Sequence, residues 1–419
     1  MLQALIAVAN LLVCLTGVIV SRSIFVIYWF VALFVTAPII FDYTTATFDK
    51  GVIGFANGYS FLFNALFLLT QLAVRPDRGS RSILVSLRIW PPLPAICVSL
   101  GLLGLVSLVL SVPSLAALFA ERWDELAESR SGVQIVFINL AQTFTILATA
   151  IVVPALLTRQ HRRAAAGVLV MALVVALVTR SKAYALVVTV PFLVYFSVSR
   201  ARLVSARYAR QVATLGVAFV VLYLGVAFAR WVGPLTELVQ GQSRVRVLAA
   251  VLAEPLESEL RPTYYAIIQD FRTRPTLGGA SYTRLVLVPL ARLFHVDLPD
   301  NPIYLYYGLT ATETKGVMRG SNHPTIYGDA YANFREFGLF VAVLLALALH
   351  ALWRWALRRR RFLLWAVISL SSFGIPLVVR GSVFYGLYAL ALGVLMAVGV
   401  DAVVGLLWRS ATHPAPAPP

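Results

Sequence analysis

The chain is a succession of near-continuous apolar runs separated by short polar connections. Runs of about 18–25 residues match helices of about 20 residues crossing roughly 30 Å of hydrocarbon. They do not alternate apolar and polar side chains as the strands of a membrane barrel would. In lipid only helices and closed barrels satisfy their own backbone groups. The pattern therefore predicts an all-α fold, a polytopic transmembrane bundle of about eleven helices. The spans fall near residues 2–20, 24–41, 53–74, 92–111, 133–157, 164–179, 183–199, 212–229, 337–353, 362–379 and 383–407. No basic segment precedes the first run and no A-x-A site is clear, so that run is expected to remain as a membrane helix.

Composition agrees with the pattern. Hydrophobic residues make up 60% and charged residues 13% of the 419, far from the roughly 45–50% and 25% of soluble domains. The net charge of +17 would suit nucleic acid, but its distribution points elsewhere. Lysine occurs only at Lys50, Lys182 and Lys315, and the arginines cluster between apolar runs. Basic clusters lie at Arg22; at Arg75, Arg78, Arg81 and Arg88; at Arg159, Arg162 and Arg163; at Arg200, Arg202, Arg207 and Arg210; at Arg354 and Arg358 to Arg361; and at Arg409. Every second connection is thus basic, which by the positive-inside rule makes it cytoplasmic. No nucleic-acid partner is expected. Eleven spans then put the N-terminus outside and the Pro/Ala tail, 409–419, inside. Cys14 and Cys97 fall inside spans and read as small apolar residues.

The outward segments differ. Residues 113–132 place apolar side chains at helical spacing opposite Glu121, Asp124, Glu125 and Glu128, the pattern of a helix lying on the membrane surface. The chain is expected to divide into transmembrane helices 1–8 (1–229), a large outward loop (230–336), helices 9–11 (337–408) and the tail. A loop of this length is expected to be partly helical and packed on the bundle. Its many tyrosines, among them Tyr264, Tyr265, Tyr282, Tyr304, Tyr306, Tyr307, Tyr327 and Tyr331, suit sugar stacking and the membrane interface equally, and for most of them the interface is the reading adopted.

Candidate chemistry lies on the outward side. Arg180 and Arg380 each adjoin apolar spans. Charges so close to hydrocarbon snorkel to the interface or face a cavity, and a guanidinium fork suits phosphate oxygens. Arg272, Arg274, Arg284, Arg292, Arg319 and Arg335 add anion-binding candidates. His323, beside Asn322 and six residues before Asp329, offers an imidazole that could act as acid or base near neutrality; a structural histidine is the plainer reading. No zinc-protease, hydrolase-elbow or phosphate-loop motif occurs. Glu257 with Glu259, and Asp42 with Asp49, are weak acidic pairs.

At four places the chain resembles the Wzy-type O-antigen and exopolysaccharide repeat-unit polymerases. These are Thr179-Arg180-Ser181; Gly278-Gly279-Ala280-Ser281-Tyr282 through Pro289 to Arg292; Asp329 through Tyr331, Asn333 and Phe334 to Gly338; and Arg380-Gly381-Ser382. Ala291 departs from the family's proline before the arginine, and a lysine expected near Asp297 to Pro299 is missing. The resemblance implies a GT-C-like bundle in the bacterial inner membrane with its active site facing the periplasm. It implies glycosyl transfer between undecaprenyl-pyrophosphate-linked oligosaccharides as donor and acceptor, within membrane lipid and with a chain-length regulator as a further partner. No cofactor and no metal are implied, because the donor already carries its leaving group. Arg180 and Arg380 would meet the pyrophosphate and Arg292 would add a third cation. His323 or Asp329 would activate the acceptor, and Tyr282, Tyr331 and Asn322 would line the sugar path. Three alternatives remain open: an O-antigen ligase, which also uses a histidine and arginines; another polyprenyl-linked glycosyltransferase depending on Asp42 or Asp49; and a polysaccharide transporter or flippase. A transporter would place ionisable residues within spans, where Asp401 is the exception.

Overall fold

The computed structural model describes residues 2–36, 48–74, 89–112, 132–179, 183–200, 205–238, 260–294, 323–359, 361–381 and 383–412. All the regular structure in these residues is helical. Helices stand at every run read from the sequence: α1 (Leu2–Val20), α2 (Phe25–Thr36), α3 (Lys50–Ala73), α4 (Leu93–Leu110), α5 (Gly132–Ala148), α6 (Val152–Thr158), α7 (Arg162–Thr179), α8 (Ala183–Ser199) and α9 (Ala206–Leu238). A 3-10 turn joins α5 to α6, which together fill one run. Two helices, α10 (Leu260–Phe271) and α11 (Ala280–Phe294), precede α12 (Thr325–Phe334), α13 (Phe340–Leu357), α14 (Arg361–Val379) and α15 (Val383–Thr412). Among the described residues nine helical stretches are long and apolar enough to cross a membrane, with α2 and α8 as shorter apolar helices.

Burial distinguishes the centre from the rim. The apolar stretch of α14 is 94% buried, against 22% for that of α15. A helix apolar all round must be enclosed on every side, and α14 packs against α2, α5, α8, α12, α13 and α15. At the α14–α15 crossing, a Cβ on Gly374 would lie 2.8 Å from the Gly386 carbonyl, so small residues let the backbones meet. Outer helices expose leucines and valines instead, including Leu12, Leu69, Leu102, Val170 and Leu395. An apolar belt of this kind suits lipid and not water.

Two sets of contacts order the ends. At one, the Arg200 guanidinium donates to the carbonyls of Ile19 and Ser21 and lies 4.3 Å from the Tyr208 ring centre. Gln71 donates to Ser21 Oγ at 2.9 Å and accepts from Trp29 Nε1 at 2.6 Å. The basic connections holding Arg22 and Arg200 therefore share one end of the bundle. Opposite, Gln3 donates to the Lys50 carbonyl at 3.0 Å.

The segment read as one outward loop divides. Helix α9 continues to Leu238, beyond the expected end at 229. At the other extreme, Thr325 to Asn333 of α12 are all buried. This helix runs antiparallel to the first half of α3: Tyr327 packs on Phe63 at 5.3 Å between ring centres, and Tyr331 on Tyr59 and Phe55 at 5.3 and 5.6 Å. Because α3 begins at the Lys50 end, α12 dips into the bundle from that end and its N-terminus lies deepest.

Candidate functional site at the N-terminus of α12

The deep end of α12 meets the turn between α14 and α15. Thr325 donates its backbone N–H to the Arg380 carbonyl at 2.9 Å. Gly381 holds φ at +99°, where a side chain would be strained, and a Cβ there would lie 2.5 Å from the Thr325 nitrogen and 2.8 Å from Pro324 Cγ. Only glycine lets the two backbones close in this way. Thr325 itself sits at φ +61°, an outlier for a β-branched residue that costs on the order of 1–3 kcal/mol. Its hydroxyl accepts from the Gly328 N–H at 3.2 Å and caps the helix.

His323 and Arg380, some 57 positions apart by number, are thereby neighbours. Burial, and secondly the positive charge of Arg380, push the His323 imidazole down to about 3. His323 is half-buried, and both influences disfavour its protonated form. The start of this ten-residue helix thus gathers a guanidinium and an imidazole, group types suited to an anion with a transferable proton beside it.

Asp329 lies farther along α12 and is sealed at 1% exposure. Asn333 donates to its carbonyl oxygen at 2.8 Å and to Ser281 Oγ at 3.1 Å, while the Ser281 N–H donates to Asn333 Oδ1 at 3.3 Å. Asn333 Nδ2 also reaches the Asp329 carboxylate at Oδ1, 3.5 Å away, and the Ser281 and Tyr282 hydroxyls face that carboxylate. Leu277 N–H donates to the Ala332 carbonyl at 2.9 Å. Gly278 and Gly279, both at positive φ, carry the chain over Phe334, which stacks near Tyr282 at 5.4 Å. This set fastens the start of α11 to α12.

The remaining candidates separate from the first pair. Arg335 donates to the Arg274 carbonyl at 2.8 Å, and Arg272 lies 4.6 Å above the Phe55 ring. These three, with Tyr331, gather at the opposite end of α12, roughly 15 Å from His323 at 1.5 Å per residue. Arg180, Asn322 and Arg319 lie outside the described residues, as do Asp42, Glu257, Glu259 and residues 113–131. Arg292 is on the backbone of α11. Asp49 caps α3, accepting from the Gly51 N–H at 3.0 Å. The tyrosines correct the reading as interface residues: Tyr264, Tyr265, Tyr327 and Tyr331 are at most 2% exposed, because α10 and α12 are core helices.

Two features have no place in the sequence reading. The Arg380–Thr325 junction depends on Gly381, whose only sequence signal is an Arg-Gly-Ser turn. Behind α12 lies a buried neutral network in which Asn64 accepts from Tyr28 at 2.7 Å and Tyr327 at 3.1 Å and donates to Asn10 at 2.8 Å. Asn10 also donates to Ser60 at 3.0 Å. Asparagines inside apolar runs were the available signal. Comparison of the chain with family models, curated proteins and solved structures finds no match.

Proposed function

We propose that this chain is a glycosyltransferase that joins polyprenyl-pyrophosphate-linked oligosaccharides at the outer face of the cytoplasmic membrane, as a repeat-unit polymerase. In this reading it has eleven spans in a GT-C-like bundle, with the Lys50 end outward. The observation that carries the proposal is the junction of Pro324 and Thr325 with the Arg380–Gly381 turn at the N-terminus of α12, with His323 close enough to feel the Arg380 charge.

The acceptor hydroxyl attacks the donor's anomeric carbon, and the bond from that carbon to the phosphate oxygen breaks. Negative charge grows on the departing pyrophosphate, where Arg380 and the α12 terminus oppose it. The proton passes to His323. A base held at about 3 chiefly by burial is weak; a docked pyrophosphate offsets the smaller Arg380 contribution and its own negative charge favours the imidazolium. Asp329, sealed and joined to the Ser281–Asn333 cluster, orients α11 rather than meeting the acceptor. The second basic group, at Arg272, Arg274 and Arg335, suits the pyrophosphate of the other lipid-linked substrate.

The test is a gel of surface glycan from cells in which Arg380→Ala replaces the native gene. Polymerase function expects core bearing a single repeat, as in the null strain, with the protein still in the membrane. A wild-type ladder refutes the assignment of Arg380, and loss of every repeat in the null strain assigns a ligase or flippase instead.

A further inference from the structure

The lipid-facing side of α13 changes character along its length. Phe340, Leu344 and Leu347 are 64%, 65% and 44% exposed. Continuing at the same three- and four-residue spacing, the exposed positions become Ala351, Arg354 and Arg358. One helix face is therefore apolar for about two turns and then basic for two.

A cavity of about 460 Å³ opens at the basic part, lined by His350, Ala351, Arg354, Trp355, Arg358 and Arg359. The Arg359 guanidinium lies 5.2 Å from the Trp355 ring centre, and tryptophan is the ring favoured at headgroup depth. A neighbouring cavity of about 400 Å³ shares Trp355, Arg358 and Arg359 but carries Asp401 on its wall. That carboxylate repels an anion, so a phosphate is favoured in the first cavity.

A cluster of exposed arginines is what the positive-inside rule alone would leave at this end. The rule requires neither a cavity, nor a ring stacked under one guanidinium, nor an apolar track leading into the cluster. Together these have the outline of a phospholipid. We propose that this groove holds an anionic phospholipid of the inner leaflet, with its phosphate on Arg354, Arg358 and Arg359 and its acyl chains along Leu344 and Leu347. The site is independent of the transfer reaction. A free phosphate ion shares the headgroup's chemistry but has no use for the apolar track.

The full-length protein, taken from nanodiscs containing equal phosphatidylglycerol and phosphatidylcholine, is examined for retained lipid by native mass spectrometry. The wild type is expected to keep phosphatidylglycerol in preference to phosphatidylcholine and to keep it in millimolar inorganic phosphate. The Arg354→Gln/Arg358→Gln variant should lose that adduct on the order of tenfold, and Arg354→Lys/Arg358→Lys should largely restore it. Arg162→Gln/Arg163→Gln, at a different basic connection, should leave it unchanged. Equal retention of the two lipids, an undiminished adduct in the glutamine variant, or a comparable loss in the Arg162/Arg163 control overturns the proposal. Displacement by inorganic phosphate overturns it in favour of a soluble ion. If the glutamine variant does not insert, lipid preference and phosphate competition on the wild type still decide.

Discussion

His323 and Gly381 each translate a local physical fact into a measurable one. An imidazole held near 3, below the roughly 6.5 of an unfolded chain, binds its proton less readily in the folded state. Protonation of the unfolded chain then draws the equilibrium away from the fold as pH falls from about 6.5 toward 3. The His323 contribution is thus complete above 6.5 and is lost on acidification. His323→Gln is expected to show a smaller drop in Tm between pH 7 and pH 5 than the wild type, as measured by thermal melts in detergent; an identical drop would mean that His323 is not held neutral. Gly381→Ala places a methyl group against Thr325 at a positive φ. It should cost about 1–3 kcal/mol and separate Arg380 from His323, so the glycan ladder should shorten even where protein level is maintained. The paired arginine and histidine were legible as residues, Arg380 as a charge between two apolar spans and His323 as an imidazole between Asn322 and Asp329 in a polar stretch. Their proximity was not, because it depends on how one glycine turn meets one helix start far away in the chain.

Helix α12 shows where legibility ends among the elements. The long runs announced themselves because a bilayer demands about 20 apolar residues in succession. Residues 325–334 contain a glycine, an aspartate and an asparagine within ten positions, so nothing in their own pattern distinguishes a buried helix from an outward loop. Their burial is created by partners. Tyr327 reaches Asn64 of α3, Tyr264 of α10 donates to the Ala56 carbonyl at 2.8 Å, and Tyr59 donates to the Arg335 carbonyl at 3.2 Å. Asn64 is the hub of this arrangement, since it serves two tyrosines and Asn10. Asn64→Leu removes the acceptor shared by two buried hydroxyls and the donor to Asn10, and should destabilise the protein by about 1–3 kcal/mol. Tyr327→Phe removes one interhelical bond, worth roughly 0.6 kcal/mol on average in membranes. Combining the two should add little to Asn64→Leu alone. Full additivity in unfolding experiments would argue that Tyr327 does not depend on Asn64.

At the scale of the whole molecule, sidedness decides whether the site can meet its substrates. The end that gathers Arg22 and Arg200 and the end that gathers Gln3 and Lys50 are opposite. Helix α12 enters the bundle from the outer side, with its Arg335 end and the Gly278–Gly279 turn toward that side, only if Lys50 faces outward. The positive-inside rule would favour that orientation, keeping the arginine-rich connections on the cytoplasmic side while the segment around Asp42 and Asp49 crosses. The expected outcome is that single cysteines replacing Lys50 and Thr273 react with a membrane-impermeant maleimide in intact spheroplasts. Cysteines replacing Arg162 and Arg358 should react only after lysis. The background is quiet because Cys14 and Cys97 are both buried. The opposite labelling would place His323 and Arg380 toward the cytoplasm, where a nucleotide-linked donor could reach them, and would remove the reason for assigning them to a lipid-linked pyrophosphate. The helical bundle itself would stand in either case, since its packing around α14 is the same viewed from both sides.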